Sequence, residues 1–327
     1  FIRPLFTIVT LGWVIYLVSI ERTWAEIFGV SNSTLLTAIG LALVAQVIAA
    51  IRWASISKLF GFAIPYRFFF SWSFAGRFSS AFLISKATGS ALRIIWLSIP
   101  FSRTTTDEHP QARRWRAGTC VRWDRLLSIA ALLGLGIPSF FGINQMLNQN
   151  PLWPSLVSRS SIAIVMLVLG AGIIGLMQSK NSRTGMTLRI CKDQALSALL
   201  TARRRPGLTG LHIAYSLSIH LLACQALWTL SQGFQLDIGG SEAIDLFVFS
   251  TIVTLIPLSL NGAGLRELVF GWYFHANGFD PIDGILLGLT FTGTQTLVSL
   301  VGAFPFYRIM TSFRAFAPPG EADISVK

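Results

Sequence analysis

The chain has 327 residues, of which 53% are hydrophobic and only 12% charged, and it carries a formal net charge of +12. With a mean hydropathy of +0.62, this composition excludes a soluble globular domain and points to a single polytopic membrane domain. The basic residues fall in short segments between apolar runs, the pattern of loops facing anionic lipid; a nucleic-acid partner is not expected.

In chain order, apolar runs at 4–20, 33–51, 118–142, 160–177, 208–232 and 281–306 are each long enough to cross a hydrocarbon core about 30 Å thick. The first lacks a small-residue cleavage site and reads as a span, not a signal peptide. Asn32 or Ser33 can cap the second. Asp280 followed by Pro281 gives the last an N-cap and a proline at its first helical position. Two further apolar regions, 66–100 and 242–275, are broken in the middle and read as helical hairpins that dip into the membrane and return. The expected fold is all-α, with about six full transmembrane helices and two re-entrant hairpins.

The charge distribution supports that topology. With the N-terminus, 52–67, 101–117, 178–206 and the C-terminal tail placed inside, 18 Lys and Arg lie on the inner side and two, Arg22 and Arg159, on the outer. This asymmetry predicts a multi-pass protein of a bacterial-type inner membrane with both termini cytoplasmic. The segment from Thr187 to Arg205 sets Leu188, Cys191, Ala195 and Leu199 on one helical face among basic residues. It reads as an amphipathic surface helix or as an ordinary positive-inside loop.

The two hairpins overlay. Ile84–Arg93 aligns without gaps on Pro257–Arg266, bringing Gly89 onto Gly262, Leu92 onto Leu265 and Arg93 onto Arg266 at an offset of 173 residues. Two spans, a hairpin and a span then occur twice, with repeat one at about 4–142, repeat two at about 160–306 and a tail over 307–327. Because the first hairpin enters from inside and the second from outside, the expectation is an inverted repeat. Gly284 and Gly288, four residues apart, predict close packing of a neighbouring helix.

The candidate site is the stretch Pro257-Leu-Ser-Leu-Asn-Gly-Ala-Gly-Leu-Arg-Glu267. Proline ends the incoming helix, and Asn261, Gly262 and Gly264 permit a tight reversal. A helix restarting at Leu265 puts Arg266 among free backbone N–H groups at a positive dipole end, which favours an anion. The first hairpin offers Gly89, Ser90 and Arg93 in the same manner. Glu267 points about 100° away from Arg266 on a helix and is a poor partner for it. Asp124, between Arg122 and Arg125 at the start of a span, is a candidate partner for Arg93 or for Arg266. Asp124, Arg125 and Glu267 are thus candidates for charge pairing, and the two carboxylates also for proton or ion coupling. Lys86 and Arg77 read as cations that merely snorkel.

Cys120, Cys191 and Cys224 form no disulfide or metal pattern, and the four histidines include no i, i+4 pair. No metal or other cofactor is expected, and no Gly-x4-Gly-Lys-Ser/Thr loop points to ATP.

The late motif resembles the signature of the lysylphosphatidylglycerol synthase transmembrane-region family, flippase-like integral membrane proteins. Arg52-Trp53 after a span, the hairpin ending in Arg93, and Asp124-Arg125 match in order over nearly the whole chain. The first hairpin departs from the family pattern: Ile84 replaces a proline, Thr88 a glycine and Ser90 an aspartate. The resemblance implies movement of an anionic or aminoacylated phospholipid, or a polyprenyl-phosphate-type lipid, between leaflets. The expected partners are therefore anionic lipid head groups and the bilayer. No stretch resembles the soluble aminoacyl-transferase domain of full synthases, so lipid aminoacylation and enzyme activity are not expected. The alternatives are an accessory subunit of a separately encoded lipid synthase or glycosyltransferase, and an enzyme acting on a lipid-linked phosphate with Glu267 and Asp124 as acid and base.

Overall fold

The computed structural model describes residues 7–10, 12–16, 29–82, 86–99, 110–149, 203, 205–254 and 262–315. Among them every regular element is helical. Nine helices are α1 (Asn32–Leu59), α2 (Tyr66–Phe82), α3 (Lys86–Ser98), α4 (Pro110–Gln149), α5 (Pro206–Gly233), α6 (Gly240–Val253), α7 (Leu265–Ala276), α8 (Pro281–Leu300) and α9 (Ala303–Ala315). A short apolar helical stretch, Thr7–Tyr16, precedes them. The predicted span 160–177, the amphipathic segment 187–205 except Arg203 and Arg205, and Asn261 lie outside the described residues.

Among the described residues, three helices are long and apolar enough to cross a membrane: Asn32–Leu59, Pro206–Gly233 and Pro281–Thr311. They contain the predicted spans 33–51 and 208–232 and all of 281–306. The predicted 118–142 lies inside the 40-residue α4, whose first turns carry arginines. Capping agrees at α8, where Asp280 accepts from the Ile282 N–H at 2.9 Å and Pro281 opens the helix. At α1 the cap is Ser31, whose hydroxyl accepts from the Thr34 N–H at 3.2 Å, one residue before the expected Asn32. α1 also runs eight residues beyond the predicted span, to Leu59, which carries Arg52 into the bundle. Arg52 is 6% exposed and so does not belong to an inner loop as the charge count had it.

Both broken regions are helix pairs. α2 and α3 have 17 and 13 residues, α6 and α7 have 14 and 12. At about 1.5 Å per residue each is shorter than a 30 Å core requires. Each pair closes on a glycine set against a small hydroxyl residue. A Cβ on Gly89 would lie 2.1 Å from the Ser80 Oγ and 2.5 Å from the Gly76 carbonyl. A Cβ on Gly262 would lie 2.7 Å from the Thr254 Cγ2. The hydroxyl residues are 174 positions apart and the glycines 173.

The same spacing recurs between helix starts. α5 begins 174 residues after α1, α6 174 after α2, α7 179 after α3 and α8 171 after α4. Neighbours follow suit: α1 packs on α2 as α5 on α6, α3 on α4 as α7 on α8, and α4 on α5 as α8 on α1. The central pair, α1 and α5, is antiparallel. Gly233 abuts Thr34 at one end, while His212 and Ser216 bond to Ser55 and Arg52 at the other.

Two apolar cores follow the two halves. The first centres on Trp53, Phe69, Trp72 and Trp96, with Trp53 meeting Phe69 edge-on at 5.1 Å. The second centres on Leu227, Leu230, Phe270, Phe274 and Leu287. Gly284 and Gly288 let α8 approach α7 as expected: a Cβ on Gly284 would meet the Phe270 carbonyl at 2.6 Å, and one on Gly288 the Glu267 Cα at 3.2 Å.

Candidate functional site

Among the described residues, Arg113 is buried against the Leu97 and Ile99 carbonyls, and the other charged side chains inside the bundle gather mainly at two centres. The first joins α1, α3, α4 and α5. Asp124 accepts from the Arg52 Nε–H at 2.9 Å with one oxygen and faces the Arg93 Nη1 at 3.5 Å with the other. Arg52 also donates to the Ser216 hydroxyl at 2.7 Å. The Arg93 guanidinium lies 4.8 Å from the Trp53 ring centre, a cation–π contact. Of the two partners that the sequence left open for Asp124, the structure selects Arg93 and adds Arg52. Arg125 donates to the Ser90 hydroxyl at 2.8 Å, tying α4 to α3.

Gly89 and Ser90 therefore differ from the expectation. They lie within α3 and not in a turn before it, and Arg93 sits two turns into that helix. The backbone N–H groups of α3 at Arg93 are taken up by helical bonding, so they form no anion cradle there. Gly89 serves close packing on Gly76. The side chain of Lys86 lies outside the description.

The second centre joins α1, α2, α7 and α8. Gly262 and Gly264 have φ of +86° and +80°, the left-handed region that glycine tolerates best. Gly264 is the N-cap of α7, which starts at Leu265 and so places Arg266 in its first turn, as expected. The Arg266 Nη1 donates to the Thr292 hydroxyl at 3.2 Å, and its guanidinium stands 5.5 Å from the Phe291 ring centre. Thr292 in turn donates to the Glu267 Oε1 at 2.6 Å. Glu267 thus reaches Arg266 only through a hydroxyl, in keeping with its poor angle on the helix. Glu267 is wholly buried, and its Oε2 has no hydrogen-bond partner among the described residues.

Sequence reasoning missed the other half of this centre. Arg77 does not snorkel. Its Nε–H donates to the Ser299 hydroxyl at 3.1 Å, its Nη1 to the Gln46 Oε1 at 3.0 Å, and its Nη2 to the side chain of Gln295. Gln46 in turn donates to Ser73 at 3.0 Å. The signal was present: Thr292, Gln295 and Ser299 follow i, i+3, i+7 spacing in an apolar span and form one polar stripe.

Helices of this length and apolarity, enclosing arginines in their packed interior, are those of an integral membrane protein. A family model described as the lysylphosphatidylglycerol synthase TM region matches residues 1–302. The chain belongs to that family. No curated protein matches the sequence. Membership in this transmembrane-region family agrees with the landmark residues Arg52, Arg93, Asp124 and Arg266, all of which lie at the two charged centres.

Proposed function

We propose that this member of the lysylphosphatidylglycerol synthase transmembrane-region family is a lipid flippase of a bacterial-type inner membrane. Its cargo would be an anionic or aminoacylated phospholipid or a polyprenyl-phosphate-type lipid. The observation that carries this reading is Arg266. Its one described side-chain hydrogen bond goes to a neutral hydroxyl, and no carboxylate forms an ion pair with it among the described residues. A guanidinium has five N–H donors and costs roughly 2.5–3.5 kcal/mol to place at membrane depth. An oxyanion from a lipid head group would offset that cost while the acyl chains stay in the bilayer. The turn through Gly262 and Gly264 supplies backbone beside it.

The fold reading that accompanies this is an inverted repeat with two re-entrant hairpins. In its favour are the near-constant spacing of helix starts, the matching glycine–hydroxyl contacts in the two hairpins, and the antiparallel α1 and α5. α4 and α5 run parallel, since Asp124 and Ser128 follow the same direction as Ser216 and His220. The two halves would rock against each other to alternate access. Coupling to a proton or ion is assigned to Glu267, which keeps one oxygen open, and not to Asp124, whose oxygens both face arginines.

The test is leaflet exchange in liposomes carrying the purified protein and fluorescent lipids. Anionic phospholipids or polyprenyl phosphates are expected to exchange at least tenfold faster than a zwitterionic lipid. Equal rates for both, or no exchange above protein-free vesicles, would defeat the proposal. Chemical turnover of a lipid-linked phosphate would instead favour an enzyme.

A further inference from the structure

Two arginines from different halves of the chain meet the same face of α8. Arg266 of α7 bonds to Thr292, and Arg77 of α2 bonds to Gln295 and Ser299. Residues three and seven apart lie on one side of a helix, so Thr292 and Gln295 place the two guanidinium groups about one turn from each other. The Arg266 charge acts on Arg77, while the charge acting on Arg266 is that of Glu267. Arg77 is held entirely by neutral partners, Ser299, Gln46 and Gln295; no carboxylate bonds to it among the described residues. Neutral amides and hydroxyls orient a guanidinium without cancelling its charge. Glu267, next to Arg266 in the chain, accepts from Thr292 and acts on Arg266 through its charge, with no direct hydrogen bond between the two among the described residues.

The depth is also distinctive. Gln46 is the fifteenth of the 28 residues of α1. Thr292, Gln295 and Ser299 are the twelfth, fifteenth and nineteenth of the 31 residues of the span Pro281–Thr311. Both helices thus present this centre at mid-length, where a second cation in excess of the one carboxylate, Glu267, costs the most.

We infer that Arg77 and Arg266 together form a two-cation site for a phosphate-type oxyanion on the Thr292–Gln295–Ser299 face of α8. The inference rests on the proposed role of Arg266 and adds the second cation that completes the site. The bound oxyanion bridges the first half of the chain, through α2, to the second, through α7 and α8. Among the described residues, four of the five side-chain N–H groups of Arg266 have no partner. Arg77, whose Nη2 also donates to the Gln295 carbonyl, brings one remaining Nη1–H and a fixed charge. Cargo binding therefore pulls the halves together, and release lets them part.

The experiment uses the full chain with ¹⁵N-labelled arginine in lipid nanodiscs of zwitterionic lipid, titrated with short-chain phosphatidylglycerol and separately with inorganic phosphate. Resonances are assigned with Arg77→Lys and Arg266→Lys. The expected result is that the signals of Arg77 and Arg266 shift together along one binding curve. Arg77→Gln is expected to weaken binding tenfold or more. Response to phosphatidylglycerol alone marks a lipid head group as the source, and equal response to inorganic phosphate marks free phosphate. If Arg266 shifts and Arg77 stays fixed, the paired site is wrong while the role of Arg266 stands. If neither shifts although the lipid is transported, both are wrong. The wild-type titration decides between these results even if Arg77→Gln does not fold.

Discussion

The two charged centres contain the same residue types and are wired differently. At the first, the Asp124 carboxylate lies directly between Arg52 and Arg93. At the second, the Glu267 carboxylate is separated from Arg266 by the Thr292 hydroxyl, and Arg77 is held by amides and hydroxyls. A carboxylate in contact discharges an arginine and locks it. A neutral ligand aims the arginine and leaves its charge available. The first centre therefore reads as a clamp joining α1, α3, α4 and α5, and the second as a place for an anion that the protein does not itself provide.

Substitutions can break this contrast. The largest stability effect is expected for Asp124→Ala, which strands two arginines in the bundle. Losing one partner of a buried ion pair costs about 3–5 kcal/mol, to be read as a large drop in melting temperature in detergent, with Asp124→Asn milder. Gly89→Ala should follow, because its Cβ would meet the Gly76 backbone carbonyl at 2.5 Å, which cannot step aside. Overpacking of this kind costs about 1–3 kcal/mol. Gly262→Ala should cost a similar amount through its positive φ and Thr254. Thr292→Val removes the hydroxyl between Arg266 and Glu267 and should cost about 1–3 kcal/mol of stability. Its more telling readout is transport, which should lose its dependence on Glu267. The smallest effect is expected for Arg122→Gln on the exposed face of α4, within about 0.5 kcal/mol. A large effect there would mean that the interior and surface arginines had been sorted wrongly.

Much of this was legible in the sequence. Apolar run lengths located α1, α5 and α8, and the mid-run breaks located the helix pairs α2–α3 and α6–α7, because hydropathy and backbone satisfaction leave a membrane chain few choices. The Arg266 turn was legible for the same reason: two glycines just ahead of a charge in an apolar region admit few explanations. The wiring was not. Nothing in the neighbourhood of Arg52 announces that it crosses 72 positions to Asp124. Arg77 read as a snorkelling cation because its partners Gln46, Gln295 and Ser299 come from two distant helices. The overlay pairs Gly89 with Gly262, each of which packs on a hydroxyl residue, yet it misplaced the helix start, since α3 begins seven residues before Arg93 and α7 only one before Arg266.

The most direct test of the account is leaflet exchange of a fluorescent anionic phospholipid in liposomes by wild type, Arg266→Gln and Arg93→Gln, at matched amounts of folded protein. The account predicts that Arg266→Gln loses exchange by roughly tenfold or more, about 1.4 kcal/mol or above, with a melting temperature close to wild type. Arg93→Gln should lose stability first and show exchange in proportion to the folded fraction. Wild-type exchange by folded Arg266→Gln would contradict the account.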